Sequence, residues 1–183
     1  MKIIKNLTIV LLAIITLSSC SNDTPEEIHE EEVITTVNIT LTNGNDTITL
    51  QSLDSDGDGT VDETNISENL KANTTYIGSI ELLNETEDPA EDITTEVEEE
   101  GSEHQFFYVV TNSIANFDYT DSDENGDPIG IDFTLTTNDA GTGKFTLILK
   151  HEPIKDADGV SSGDSTNAGG STDVDVSFNL TVE

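Results

Sequence analysis

Apolar and polar residues alternate along much of this chain, a pattern typical of strands that bury one side and expose the other. The clearest run lies near the C-terminal end, where apolar residues from Val174 to Val182 alternate with polar ones from Asp173 to Thr181. Further alternating or apolar runs predict strands at residues 33–41, 47–53, 74–83, 105–110, 131–135 and 144–150. The run at 105–110 is apolar on both faces, which predicts a central strand.

Turn residues separate these runs. Residues 43–45 (Asn-Gly-Asn) predict a hairpin, and residues 138–141 (Asn-Asp-Ala-Gly) predict another. Residues 156–170 are acidic and rich in glycine, so we expect a long flexible loop at the surface. About seven short strands with turns between them indicate an all-β fold, an immunoglobulin-like β-sandwich or a related barrel.

One short helix is predicted within this β pattern. Asp88 would be its N-cap, Pro89 its first helical residue and Gly101 its C-terminal stop. Its interior is rich in acids, and Ile93 and Val97 form its only apolar pair at a spacing of four. We therefore expect a helix on the surface that packs lightly on the sandwich.

The start of the chain has the features of a secretory signal peptide. Residues 1–5 (Met-Lys-Ile-Ile-Lys) are basic, residues 7–17 form a short apolar run, and small residues follow. The apolar run is too short for an ordinary membrane-spanning helix. We expect residues 1–19 to be removed on export.

The stretch Leu17-Ser18-Ser19-Cys20 resembles the lipobox of bacterial lipoproteins. That resemblance implies cleavage before Cys20 and acylation of its sulfur and its new amino group, so that outer-membrane lipid is a partner through the acyl anchor. Cys20 is the only cysteine of the chain, which rules out an internal disulfide. The alternative is a soluble secreted protein with a coincidental cysteine.

Residues 20–32 are acidic and contain a proline, which predicts an extended tether before a domain at residues 33–183. The tether is similar to the acidic export tag that sends some lipoproteins to the outer face of the outer membrane. It implies an outer-membrane lipoprotein that faces the cell exterior. A plain spacer on the periplasmic face is the alternative.

Composition narrows the choice of partners. The net charge is −32, and loss of residues 1–19 makes it −34 because two lysines and no acids are removed. The chain contains no arginine. We therefore do not expect the chain to bind nucleic acid, since phosphate contacts need basic side chains. Like charges repel one another in a compact state, so divalent cations are the partners that the charge favours.

Two stretches, residues 78–85 and 103–108, resemble short bacterial lipoproteins that are assigned a type 1 periplasmic-binding fold. That resemblance implies two lobes built from repeated strand–helix–strand units. The residues themselves offer only one helix candidate, so the pattern of the chain favours the all-β alternative.

A first acidic loop, residues 54–62, resembles the calcium loops of EF-hands, dockerins and thrombospondin-type repeats. By that match the ligands would be the side chains of Asp54, Asp56 and Asp58, the backbone carbonyl of Thr60, and Asp62 through a water molecule. Asn65 stands at the twelfth place, where those families have a bidentate acid, which implies weaker binding. The alternative is a solvated acidic turn.

A second acidic loop begins at residue 121 and matches the same calcium pattern. Its candidate ligands are Asp121, Asp123, Asn125, Asp127 and, at the twelfth place, Asp132. Pro128 replaces the usual aliphatic residue, and Asp132 already belongs to a predicted strand. A solvated turn is again the alternative.

Two histidines support a separate hypothesis. His104 shares the face of Phe106 at the start of its strand, and His151 shares the face of Leu149 at the end of its strand. If these strands are antiparallel neighbours, both imidazoles lie at the same end of the sandwich and could bind zinc. A hydrogen-bonded structural role for each histidine is the alternative.

No catalytic constellation stands out. The chain has no Gly-x-Ser-x-Gly motif, and its carboxylates fall mostly in turns or on solvent-facing strand positions. We therefore expect no enzyme. The sequence favours a calcium-stabilised binding or structural module at the cell surface, whose loops present a surface to a protein, a glycan or an uptake receptor. The alternative is a lipoprotein that captures zinc or another transition metal for an outer-membrane uptake receptor.

Overall fold

The computed structural model describes residues 32–183. The predicted signal peptide, the lipidation site at Cys20 and the tether as far as residue 31 lie outside the described residues. Among residues 32–183, no helix is both long and apolar enough to cross a membrane.

Ten strands and one α-helix form the described part of the chain. The strands are β1 (Thr36–Asn43), β2 (Asp46–Leu53), β3 (Glu63–Ile66), β4 (Thr75–Asn84), β5 (Glu91–Asp92), β6 (His104–Val110), β7 (Ala115–Tyr119), β8 (Asp132–Thr137), β9 (Gly141–His151) and β10 (Ser171–Val182). Helix α1 spans Ile93–Glu99. The predicted all-β class with one short helix is confirmed.

The strands form two antiparallel sheets. The larger has the order β3-β2-β1-β4-β8-β7, with β5 paired to one end of β4, and the smaller has the order β10-β9-β6. Two separate sheets make a sandwich rather than a barrel. The three strands that exceed the predicted number of about seven are β3, β5 and β7, which have four, two and five residues.

Side chains from the facing sides of the two sheets form the core, as the alternating pattern requires. The smaller sheet contributes Phe106, Phe145, Leu147, Leu149 and Phe178, and the larger contributes residues such as Ile39, Leu50, Tyr76, Leu82 and Phe133. These ten side chains are at most 1% exposed. The inner face of the smaller sheet is therefore a dry environment for any polar residue at its ends.

The prediction that residues 105–110 form a central strand is wrong, because β6 lies at the edge of the smaller sheet and β9 is central. Strand β6 is apolar on both faces for another reason. Its outer face, at Phe107, is covered by the loop after β9, which contributes the buried residues Val160 and Ala168. The loop expected to be a flexible surface segment instead contains two 3₁₀ helices, Val160–Ser162 and Ser165–Asn167, and covers the sheet.

The hairpin predicted at residues 43–45 is confirmed, since β1 and β2 pair on either side of it. The hairpin predicted at residues 138–141 is wrong. The turn is there, but β8 pairs with β4 and β7 whereas β9 pairs with β6 and β10. The chain crosses from one sheet to the other at this turn, because each strand finds its neighbours among residues distant in sequence.

Helix α1 begins later than the sequence predicts. Its N-cap is Asp92 rather than Asp88, and the Asp92 side chain accepts hydrogen bonds from the backbone amides of Thr94 and Thr95. The pairing of β5 with β4 keeps the preceding residues extended. The predicted apolar pair is confirmed, and Ile93 and Val97 are more deeply buried than a lightly packed surface helix implies, at 2% and 0% exposed.

Candidate metal centre

His104 and His151 are directly opposite each other in the register of β6 and β9. Because directly opposed residues point to the same face, both imidazoles lie on the inner side of the smaller sheet, at one end. Their rings stack with centroids 4.7 Å apart and planes inclined by 24°. The sequence-based expectation that these strands are antiparallel neighbours, with both histidines at one end of the sandwich, is confirmed.

An irregularity in β10 brings a carboxylate to the same place. Ser171 is paired with His151 and Thr172 with Lys150, but the next pair is Val174 with Leu149, so Asp173 is an extra residue in the ladder. Bulges of this kind re-aim side chains. The sequence pattern places Asp173 on the solvent-facing side of its strand, whereas its Oδ2 atom is in fact buried.

A second carboxylate comes from the chain just before β1. Glu32 was assigned to the tether by the sequence, yet its side chain is only 4% exposed and its Oε1 atom lies 3.4 Å from Nε2 of His104. The folded domain therefore includes Glu32. Glu32, His104, His151 and Asp173, here called the inner group, each offer a ligand atom, and these atoms all lie within 4.8 Å of one another.

The hydrogen bonding of His104 leaves one ring nitrogen facing this cluster. Its Nδ1 atom lies 3.3 Å from the carbonyl oxygen of Glu100, a contact in which the nitrogen is the donor. Histidines that bind metals commonly donate their other ring N–H to a carbonyl in this way. The ring is fully buried, and Nε2 has no hydrogen-bond partner. Oε2 of Glu32 is buried and without a hydrogen bond as well.

The charges of the inner group are coupled. Burial acts to lower the pKa of His104, but contact with Glu32 and the negative charge of that carboxylate outweigh burial, and the net shift is upward from 6.5. The contact with His104 likewise acts most strongly on Glu32 and holds its pKa below 4.5, against the effect of burial. The site therefore favours a positive charge between Nε2 of His104 and Oε1 of Glu32, supplied by a proton or by a metal ion.

The donor set of the inner group suits a transition-metal dication. Zinc accepts imidazole nitrogens and carboxylate oxygens together in a tetrahedral arrangement, and two of each are present here. Tetrahedral zinc at bond lengths near 2.0–2.1 Å places its ligand atoms about 3.4 Å apart. The four atoms must therefore contract modestly to close on an ion, which small side-chain rotations can achieve. Two carboxylates and one dication would also leave the buried site without net charge.

The first acidic loop brings three of its five predicted ligands together. Asp54, Asp56 and Asp58 each offer an oxygen within 4.8 Å of the others. Of the remaining two, Asp62 serves the loop itself, since its Oδ2 atom accepts a hydrogen bond from the amide of Ser55. The amide of Thr60 donates to Oδ1 of Asp58. The arrangement is compatible with a calcium ion.

The glycine at the sixth place of the first acidic loop, Gly59, allows the backbone to turn sharply there. The amide of Gly59 donates to Oδ2 of Asp54 at 2.7 Å, and Gly59 has a φ of +84°. Asn65, at the twelfth place, lies on β3 opposite Gln51, and its amide donates to Glu63. No acid closes the loop at that place, as the sequence indicated.

The second acidic loop is organised around a lysine. Nζ of Lys155 donates to Oδ2 of Asp123 at 2.9 Å and to the carbonyl oxygens of Gly101 and Pro128 at 2.5 and 2.9 Å. Lys155 is 7% exposed, and the Asp123 side chain is 2% exposed. Burial acts to raise the pKa of Asp123, but the ammonium of Lys155 and two backbone amides outweigh it and hold the pKa below 3.8. The ammonium group of Lys155 thus occupies the centre of this loop.

The other predicted ligands of the second loop are not gathered around an ion position. Asp121 accepts hydrogen bonds from the amides of Gly130 and Asp132, while the amides of Asn125 and Asp127 donate to Asp123. Within residues 32–183, this loop does not bring three carboxylates within ligand distance of one another. The predicted calcium site at this loop therefore receives no support from the geometry.

Sequence reasoning missed two members of the inner group. Glu32 precedes the first strand, and Asp173 stands in a run whose alternation points it outward, so neither position carried a sequence signal for the site. The pairing of β6, β9 and β10 brings Asp173 to the two histidines, whereas Glu32 reaches them from the segment before β1. No protein family, curated protein or solved structure matches this chain, so the geometry of these residues carries the functional argument.

Proposed function

We propose that this chain is a non-enzymatic, membrane-anchored bacterial lipoprotein whose β-sandwich binds a transition-metal dication at the inner group. The observation that carries the proposal is the Nε2 atom of His104, which is buried, has no hydrogen bond and faces the buried carboxylate of Glu32. A buried polar atom that makes no hydrogen bond costs about 1–3 kcal/mol. A bound cation would remove that cost and would be attracted by both carboxylates of the group.

The anchoring half of the proposal rests on the sequence. The lipobox-like stretch ending at Cys20 and the acidic segment after it favour an outer-membrane lipoprotein that faces the cell exterior, with the periplasmic face as the alternative. In that setting, a metal-binding domain would capture zinc or a related ion and pass it to an outer-membrane uptake receptor.

A second candidate function is a calcium-stabilised binding or structural module. It is favoured by the convergence of Asp54, Asp56 and Asp58, whose mutual repulsion a calcium ion would offset. The stabilised loops would then present a recognition surface to a surface protein or a glycan. The two functions are compatible, because their ligand sets share no residue.

Thermal unfolding of the full chain distinguishes the candidates. The midpoint is measured in chelator, then with zinc or calcium added separately, because an ion that binds only the native state raises the midpoint. The metal-capture proposal predicts a large shift with zinc, and the calcium proposal predicts a shift with calcium that an Asp56→Ala, Asp58→Ala variant loses. No shift with zinc would contradict the metal-capture proposal, and no shift with calcium would contradict the calcium proposal.

A further inference from the structure

His151 belongs to two groups of ligand atoms. Besides the inner group, it is part of an outer group of Glu103, His151 and Glu152, whose ligand atoms also lie within 4.8 Å of one another. The Nε2 atom of His151 is 3.9 Å from Oε2 of Glu103. A single imidazole is therefore within reach of both sets of carboxylates.

The two groups differ in their access to solvent. His104 is 0% exposed and the Glu32 side chain is 4% exposed, so an ion at the inner group would be enclosed. The Glu103 side chain is 42% exposed but its Oε2 atom is buried, and Glu152 is exposed. The outer group thus extends from solvent to the edge of the inner group.

The backbone fixes the two glutamates beside each other. The amide of Glu152 donates to the carbonyl oxygen of Glu103 at 2.6 Å. Glu152 has a φ of +52°, a conformation that is uncommon for a residue other than glycine and that is found preferentially at functional sites. Gly170 lies so close to this segment that an added Cβ would be 2.2 Å from the carbonyl oxygen of His151 and 2.9 Å from that of Glu152.

An enclosed site poses a kinetic difficulty for a protein that captures and releases an ion. A hydrated dication must lose its water before buried ligands can replace it, and removing charge from water is costly unless new partners are already present. Stepwise exchange, in which each departing water or ligand is replaced by the next ligand, lowers that barrier. Carboxylates at the rim of the site can supply the intermediate partners.

We propose that the outer group is an entry site, which binds the ion first and passes it to the inner group. This inference rests on the proposed metal-binding function. A dication first binds the outer group while it keeps part of its hydration shell. It then moves inward with His151 still bound, and the other three residues of the inner group replace the two outer carboxylates. Release follows the same route in reverse.

The test compares rates with affinities, using zinc and the full chain. A Glu103→Gln, Glu152→Gln variant removes the outer carboxylates, and a Glu68→Gln, Glu87→Gln variant removes the same charge at exposed positions elsewhere. Zinc loading is followed after rapid mixing, zinc release after addition of a chelator, and affinity by equilibrium competition. An entry site lowers the same barrier for loading and for release. We therefore expect the rates of zinc loading and zinc release to fall together by about tenfold or more, equivalent to about 1.4 kcal/mol of barrier.

The outcomes separate this inference from the function on which it depends. If the outer-group variant loads and releases zinc at the rates of the control variant, the entry-site proposal is overturned while the proposed zinc binding stands. Faster release with unchanged loading would overturn it too, because Glu103 and Glu152 would then be ligands of the final site. A parent chain that binds no zinc would overturn the proposed function itself.

Discussion

Oε1 of Glu32 and Nε2 of His104 lie 3.4 Å apart, and both side chains are almost completely buried. The two residues come from different parts of the fold, since Glu32 leads into the larger sheet and His104 begins an edge strand of the smaller one. A cation held between them would therefore connect the two sheets as well as satisfy the two side chains.

The first prediction concerns the pKa of His104. In a Glu32→Gln variant without metal, we expect this pKa to fall below that of the parent, because Glu32 supplies the largest effects that raise it and burial, which lowers it, remains. Titration of the imidazole followed by NMR measures the shift. Glu87→Gln, an exposed change of equal charge, is the control and should leave the pKa of His104 unchanged. An unchanged pKa in Glu32→Gln would contradict the contact.

The second prediction is the pH dependence of zinc binding. Zinc needs the unprotonated Nε2 of His104, whose pKa is raised above 6.5. Affinity should therefore begin to fall while the pH is still above 6.5 and should continue to fall as the pH is lowered further. Equilibrium competition at a series of pH values tests this. An affinity that stays constant down through 6.5 would exclude His104 as a ligand.

The third prediction is the pH dependence of stability without metal. The raised pKa of His104 means that its contribution is fully present below 6.5 and is lost as the pH rises through the folded-state value. The lowered pKa of Glu32 means that its contribution is present above 4.5 and is lost as the pH falls through its folded-state value. We expect these contributions to overlap between 4.5 and 6.5. Urea unfolding in chelator measures them as the difference between the parent and the Glu32→Gln variant across pH.

These expectations show what the sequence could and could not determine about the site. Face parity along two strands predicted that His104 and His151 share one end of the sandwich if those strands are antiparallel neighbours, and the structure supplies that pairing. It was not enough for Asp173, because an extra residue in a strand reverses parity, and alternation alone does not reveal a bulge. Glu32 was missed because its acidic neighbours are typical of a solvated tether.

The sequence pattern likewise predicted some features of the fold and not others. Alternating or continuously apolar runs identified every strand of six or more residues, because a buried or half-buried strand leaves its pattern in the sequence. The sequence pattern did not determine the order of strands. It predicted that β6 is central because both of its faces are apolar, whereas β6 is an edge strand whose outer face is covered by a loop. It also missed β7, although Ala115, Phe117 and Tyr119 alternate with polar residues and could have revealed it.

The fourth prediction concerns Gly170, which has a φ of +63° and whose added Cβ would lie 2.2 Å from the carbonyl oxygen of His151. Gly170→Ala should destabilise the chain by about 2–5 kcal/mol and should also weaken zinc binding, since His151 must move. Gly44→Ala is the control, because Gly44 has a similar φ of +60° but open space around it. That change should cost only about 1 kcal/mol and leave zinc affinity unchanged. Equal effects of the two changes in urea unfolding would contradict the close packing at Gly170.

The fifth prediction tests the lysine at the centre of the second acidic loop. Lys155→Met leaves the buried carboxylate of Asp123 without its partner and should cost about 3–5 kcal/mol at neutral pH. Lys71→Met is the control, because the Lys71–Asp46 pair is exposed, and it should cost less than about 1 kcal/mol. Urea unfolding of both variants gives the comparison. Similar small costs would mean that Lys155 does not fill the loop as the geometry indicates.

The central claim is that His104 and His151 bind a transition-metal ion, and equilibrium zinc competition tests it most directly. The measurement compares the parent chain with a His104→Ala, His151→Ala variant whose folding is first verified by a cooperative unfolding transition in chelator. We expect the variant to lose at least about a hundredfold in zinc affinity, because half of the ligand set is removed. A variant that folds and binds zinc as tightly as the parent would contradict it.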